Sequence, residues 1–213
     1  MKLISINVGL PRDVLWKDRV VTTGIFKTPV SGPVRVEKLN LEGDQQADLT
    51  VHGGLDKAVY VYPAEHYDYW RAELPEMELP WGMFGENFTV TGFSEDNTCI
   101  GDQFQIGSAR FAVAQPRLPC YKLGVKFGRD DILKRFLQSG RLGFYFSVIE
   151  EGEVNAGDDV QLVQRNSAQI SVSDIARLYV MRDDLADLRR RAAELEALPK
   201  SWRDYFLKQL SPS

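Results

Sequence analysis

Sulfur and histidine are scarce in this chain, with two Cys and two His among 213 residues. Two cysteines cannot make a disulfide framework, which excludes the small stapled scaffolds of the secreted world. No stretch approaches the roughly 20 apolar residues of a membrane span. The N-terminus, MKLISINVGLPRD, has no apolar run long enough for a signal-peptide core. Positive charge is not in excess either. The formal net charge is −4, so no global basic field recruits nucleic acid or an anionic membrane, and any anion site must be local. Neither a G-x-x-x-x-G-K-[ST] loop nor a G-x-G-x-x-G fingerprint occurs, so no nucleotide-binding loop of those types is present. These absences predict a cytoplasmic protein with reduced thiols, in which a cysteine is either a small core residue or a reactive or liganding one.

What is present is ordinary globular material, 44% hydrophobic and 26% charged, enough for one large domain or one domain with a small appendage. Short alternating or β-branched runs predict strands at Lys2–Val8, Arg19–Thr23, Val34–Leu39, Ala58–Tyr62, Glu86–Thr91, Phe104–Ile106, Ala109–Ala114, Phe144–Ile149 and Asp159–Val163. Their number and the glycine turns between them suggest a barrel or sandwich rather than a βαβ repeat. Two helices interrupt them, one opening at Pro63 and one over Arg129–Gln138 that Gly140 ends. After Gln164 three short helices follow, with start signals at Ser171 or Ser173, Asp183 or Asp184, and Pro199 or Ser201. The boundary falls near Asn166, giving a β domain over 1–165 and a trihelical tail over 166–213. A trihelical tail can read DNA, but from Ser167 onward eight Lys or Arg face seven Asp or Glu, which leaves no basic face for phosphates. The apolar stripes of the tail are expected to pack on the β domain or on a second copy, away from any cofactor.

Three segments carry chemistry. In GDQQADLTVHGGLDKAVYVYP, Gly43 to Pro63, Gly53 and Gly54 allow close backbone approach and Lys57 adds positive charge. The alternative there is a tight turn with a solvated charge cluster. In FGENFTVTG, Asn87 precedes a strand and offers both donors and acceptors, or simply starts the strand with an Asx turn. In AQPRLPCYKLG, Pro116 and Pro119 stiffen a loop around Cys120. Arg117, Lys122 and the start of a following helix would favour the Cys120 thiolate, which is a nucleophile or a soft metal ligand. Cys99, Cys120, His52 and His66 lack the short spacings of structural zinc, which argues against that metal. A Cys–His hydrolase pairing His52 with Cys120 stays open at this level.

Taken together, GDQQADLTVHGGLDKAVYVYP, FGENFTVTG, IGDQFQIG, QPRLPCYKLG and GRLGFYFSVIEEGEVNAGDDV resemble, in order and spacing, the MOSC domain, the C-terminal domain of molybdenum cofactor sulfurase. The resemblance covers roughly Met1 to Gln164. The tail resembles the extension of the bacterial hydroxylaminopurine-resistance branch. The resemblance implies a mainly β, barrel-like fold with inserted helices and a small C-terminal three-helix subdomain. It implies a molybdenum cofactor of the molybdopterin form, held through a cysteine that matches Cys120. It also implies reduction of N-hydroxylated compounds such as hydroxylaminopurine-type bases, with electrons from a separate flavoprotein reductase. Cys99 matches no ligand position. Asp44, His52, Gly53, Gly54, Lys57, Asn87 and Arg117 are the candidate pterin contacts from their chemistry and their place in the motifs. His52, or an acid near it, is also the candidate proton donor, with Cys120 the other candidate catalytic residue. A non-catalytic carrier of the cofactor or of a labile sulfur is the alternative. Nucleic acid and membrane are not expected as partners, whereas a homodimer is.

Overall fold

The computed structural model describes residues 1–47, 53–180 and 185–210. In chain order its strands and helices are β1 (Lys2–Val8), β2 (Arg12–Trp16), β3 (Arg19–Thr23), β4 (Thr28–Pro29), β5 (Val34–Val36), β6 (Val59–Pro63), α1 (Glu65–Glu73), β7 (Phe88–Thr91), β8 (Gln103–Ile106), β9 (Ala109–Pro116), α2 (Tyr121–Phe127), α3 (Ile132–Ser139), β10 (Phe144–Glu150), β11 (Gly152–Val154), β12 (Val160–Gln164), α4 (Val172–Val180), α5 (Ala186–Glu194) and α6 (Lys200–Leu210). Eight strands form one sheet in the order β12-β8-β9-β10-β6-β7-β1-β4. All but one of its pairings are antiparallel. β6 and β7 run parallel, with α1 lying between them in the chain.

The sheet curls until its ends meet. Leu3 N–H donates to Asp158 O at 3.0 Å, Gly157 N–H to Leu3 O at 2.7 Å and Val160 N–H to Met1 O at 3.0 Å. A single bridge, Lys2 with Asp159, is the only ladder pairing there among the described residues, so the barrel is approached without a continuous closing ladder. The mainly β fold with a helical extension follows the pattern of the sequence. The strand at Val34 is shorter than expected: its ladder runs over the three residues of β11, with one further bridge from Val36 to Leu41. Pro63 closes β6 rather than opening α1, which starts at Glu65. Gly140 does end α3, in a left-handed conformation at φ 67°, where a side chain would be strained.

β6 explains how two cores share one sheet. Val59 and Val61 face a core with Leu3, Phe88, Phe111, Phe144 and Phe146. Tyr60 and Tyr62, which alternation turns to the other face, join Tyr67, Trp70, Phe84, Phe127 and Phe136. The tail is continuous with the first core, to which Ile170, Val172, Ile175, Leu178, Leu198, Trp202 and Phe206 all belong. A reciprocal cap starts α4. Asp174 N–H donates to Ser171 Oγ, and Ser171 N–H donates to the Asp174 carboxylate, each at 3.0 Å, satisfying donors that a helix start leaves open. Asp183 and Asp184, the expected start signal of the next helix, lie outside the described residues. Among the described residues no helix is long and apolar enough to cross a membrane.

Candidate functional site

Strand register places the first wall of the site. Tyr145 of β10 pairs with Gln115 of β9 on one side and with Tyr60 of β6 on the other. Residues in register on neighbouring strands share a face, so Gln115, Tyr145 and Tyr60 form a row across three strands. The Tyr60 and Tyr145 rings lie 5.4 Å apart. Burial pushes both phenols above the ordinary tyrosine value, so they stay protonated.

β9 ends at Pro116, and the Arg117 N–H still donates to Gly143 O at 3.1 Å. Pro119 then biases the residue before it to extended backbone, and Cys120 takes the N-cap position of α2 at φ −116°. Leu123 N–H donates to Cys120 O at 2.9 Å. Cys120 is thus fixed between a strand end and a helix whose Leu123 and Phe127 are anchored in the second core. Its thiol is in no disulfide and is half-buried.

Arg117 is buried, 5% exposed. Its guanidinium carbon lies 5.2 Å from the Tyr60 ring centroid and 5.1 Å from that of Phe136. Burial disfavours its charge, but Tyr60, Tyr145 and the Cys120 thiol oppose that, and its pKa is raised. Nη1 is buried and has no hydrogen-bond partner. An orphaned charged donor is costly, and an anion would satisfy it.

A cleft with about 660 Å³ of space, open solvent included, collects these groups. Cys120, Arg117, Lys57, Asn87, Tyr60 and Tyr145 line it, together with Lys27 and Lys122. Lys57 ends a single 3-10 turn, Leu55–Lys57, which Gly54 enters at φ 100°. Burial lowers the Lys57 pKa against the pull of Asp56. Asn87 is doubly held: its Oδ1 accepts the Tyr60 N–H at 3.0 Å, and its Nδ2 donates to Asp44 Oδ2 at 2.9 Å. The carboxylate of Glu86 fixes the turn before it, accepting N–H groups of Gly82 at 2.8 Å and Phe84 at 3.1 Å and the Tyr67 hydroxyl. Burial raises the Glu86 pKa.

Asp44 does not line the cleft. It sits behind it, accepting from Gly9 N–H at 3.0 Å, from Asn87 and from the buried ammonium of Lys27. Burial lowers the Lys27 pKa, and Asp44 opposes that shift. Gly53 and Gly54 do not line the cleft either. At Gly54 there is open space where a Cβ would sit, so its positive φ, not crowding, calls for glycine. His52 lies outside the described residues. Lys27, Tyr60 and Tyr145 are wall residues that motif reading did not single out, whereas Lys122 was expected beside Cys120.

A second cleft, with about 850 Å³ of empty space, adjoins the first and shares Lys57, Leu118 and Tyr145 with it. Its remaining walls are Gln115 and Pro116 from the sheet and Tyr179, Ser201, Trp202 and Tyr205 from the tail. The tail packs on the β domain, as expected, with its apolar residues in the first core. It also walls a cleft that borders the one holding Cys120, because Trp202 Nε1 donates to Gln115 Oε1 at 2.6 Å, in the same row as Tyr145.

Cys99 has other surroundings. It is 7% exposed, and its N–H donates to the Asp102 carboxylate at 3.0 Å. Burial raises its pKa, with Arg165 opposing. The other candidate zinc residue, His66, pairs with Glu95 at 2.9 Å. No group of three or more His, Cys, Asp or Glu able to hold a metal occurs among the described residues.

Comparison with known proteins identifies the family of both parts of the chain. Residues 48–161 match the MOSC domain family, and residues 170–211 match the family described as YiiM-like, 3-alpha helix domain. The chain is 43% identical over 208 residues to YflK of Bacillus subtilis (strain 168), spanning 97% of this chain and 93% of that one. It is 36% identical over 190 residues to a protein named Reductase from Gibberella moniliformis (strain M3125 / FGSC 7600), spanning 88% of this chain and 33% of that longer one. The crystal structure of YiiM from Geobacillus stearothermophilus superposes with a TM-score of 0.83 at 38% identity over 99% of both chains. With the domain match over half its length and relatives that align almost end to end, the chain belongs to the MOSC domain family and carries the YiiM-like helical extension.

Proposed function

We propose that the protein is a molybdenum-cofactor-dependent reductase of N-hydroxylated compounds, with the Cys120 thiolate as a metal ligand. The carrying observation is the cleft in which the Cys120 thiol shares walls with the unpartnered, buried Nη1 of Arg117 and with Lys27, Lys57 and Lys122. A thiol beside a donor-rich, cation-lined wall suits a soft metal attached to a phosphate-bearing pterin. The name of the Gibberella relative, Reductase, supports the reaction class.

When bound, the cofactor supplies two-electron redox chemistry, and the protein orients it and excludes side reactions. Arg117 would take a phosphate or pterin oxygen with a charge-assisted bond, and Lys57 and Lys122 would add charge. Asp44 and Asn87 act from behind, Asp44 opposing the loss of charge that burial imposes on Lys27 and Asn87 holding Tyr60 in place. The stiff loop fixes the direction of the Cys120 sulfur. The net reaction takes an N–OH group, two electrons and two protons to N–H and water. The electrons come from a separate flavoprotein reductase, since the chain has no nucleotide fingerprint of its own. His52 is the proposed proton donor. We place the protein in the cytoplasm, as a homodimer.

The test is turnover. Protein made in cells that assemble the cofactor should reduce 6-hydroxylaminopurine with a chemical electron donor and carry molybdenum near one per chain. Molybdenum without turnover would favour the carrier reading. Stoichiometric zinc in place of molybdenum would defeat both.

A further inference from the structure

The second cleft is built from rings. Tyr179 of α4 and Tyr205 and Trp202 of α6 form one cluster. The Tyr179 centroid lies 5.2 Å from that of Trp202, at an interplanar angle of 57°, and 5.2 Å from that of Tyr205, at 44°. Tyr145 contributes a fourth ring from the sheet. The one polar atom of Trp202 is already committed to Gln115, whose Nε2 donates in turn to Asp56 O at 2.9 Å. Trp202 therefore offers the cleft apolar ring atoms only. The same two bonds tie α6 to the 3-10 turn that carries Lys57. Lys57 and Tyr145 belong to both clefts and mark their border, while Ser201 and the Tyr179 and Tyr205 hydroxyls are the polar groups on the tail side. Aromatic rings on the tail side and two donors on the side toward Cys120 form the pocket. Such walls favour a flat π-system, which stacks or meets rings edge-on, over a flexible chain.

We propose that this cleft is the substrate pocket, that the C-terminal helices supply it, and that Trp202 and Tyr205 hold the heteroaromatic ring of an N-hydroxylated base. Its reducible group crosses the Lys57–Tyr145 border toward Cys120. This rests on the reductase reading and deepens it by giving the tail the task of selecting substrate. Gln115 is a positioning residue that joins the tail to the cofactor cleft.

Binding tests it without turnover. Adenine and 6-hydroxylaminopurine are titrated into the full-length protein by calorimetry and by tryptophan fluorescence. Wild type should bind both. Trp202→Ala and Tyr205→Ala should each weaken binding roughly 5- to 150-fold, the range that loss of one stacking ring gives, with molybdenum per chain unchanged. Trp202→Phe should keep most of the affinity and lose the ligand-induced quench. Tyr205, less buried than Trp202, carries the test if Trp202→Ala does not fold. Affinity that ignores both rings overturns the proposal. So does a change of association state in these variants with purine affinity intact, which would make the ring cluster a contact between copies. Purine binding that follows the rings in a protein without reductase activity leaves the pocket and removes the reaction. Reduction with ring-independent binding does the reverse.

Discussion

The two cysteines occupy regions with opposite designs. Around Cys99 every strong group is used. Asp102 is fully buried and accepts from Cys99 N–H, from Asn166 N–H at 2.9 Å and from Arg165 at 2.8 Å. Thr98 O accepts Val172 N–H at 2.9 Å, so the neighbourhood stitches the sheet to α4. Around Cys120 the charge is turned toward a cleft. Lys57 and Lys122 line it, and the buried Nη1 of Arg117 has no hydrogen-bond partner. A satisfied network serves stability, whereas an unsatisfied one stores affinity for something not yet bound. Cys99 therefore reads as structure and Cys120 as a binding site.

Substitutions at five positions sharpen or break that contrast. The largest effect is expected from Cys120→Ser, which exchanges a soft ligand for a hard hydroxyl at nearly constant volume. It should abolish reduction of N-hydroxylated substrate and leave the thermal midpoint within a few degrees of wild type. Cys99→Ser should keep turnover. Next comes Asp102→Ala, which orphans two backbone N–H groups. At about 1–3 kcal/mol each, a loss near 3 kcal/mol is expected, a fall in Tm of roughly 6–12 °C for a chain of this size. Metal content per folded chain should not change, and a selective loss of metal would erase the contrast.

If Arg117 holds the cofactor as proposed, Arg117→Ala removes a charge-assisted bond worth about 1.5–3 kcal/mol, and cofactor retention should weaken roughly 10- to 150-fold. Arg117→Lys should recover part of it, because lysine cannot fork. Unchanged retention in the alanine variant would remove the proposed role of the orphaned Nη1. The smallest effect concerns Lys126, on α2 beyond Cys120. Its ammonium lies 4.9 Å from the Phe26 centroid, with the Arg12 guanidinium 3.9 Å from the same ring. Burial, with Arg12 and Lys27 adding to it, lowers its pKa to about 8. A depressed lysine contributes stability above its unfolded value of 10.5 and loses it as pH falls through about 8, so at neutral pH the charged form is a cost. Lys126→Met should thus raise stability at neutral pH by about 1 kcal/mol after solvent screening, or roughly 2–4 °C in Tm. The gain should fade as pH climbs past 8. A gain that persists at high pH would mean packing, not charge crowding, is responsible.

The Cys120 loop was legible because its signals are local: two prolines, an arginine and a cysteine within five residues. The β pattern was legible wherever one face is buried, as in Phe144–Glu150, where Phe144, Phe146 and Val148 alternate. β2 was not. Its Arg12–Trp16 pairs with β3 around a turn of Lys17 and Asp18 at φ 48° and 60°, and neither residue is the glycine that announces such turns. The Gln115–Tyr145–Tyr60 row was also hidden, because it exists only once three strands find their register. Lys27 carries no motif, and its place depends on meeting Asp44 seventeen residues later. The tail's stripe was visible as apolar, but nothing in its periodicity told that Trp202 would reach Gln115, 87 residues earlier in the chain.

The most direct test is molybdenum per chain, measured on wild type, Cys120→Ser and Cys99→Ser purified side by side from cells that assemble the cofactor. Wild type and Cys99→Ser should carry molybdenum near one per chain, and folded Cys120→Ser should have lost most of it. Full molybdenum in Cys120→Ser, or its loss in Cys99→Ser alone, would contradict the assignment of Cys120 as the metal ligand.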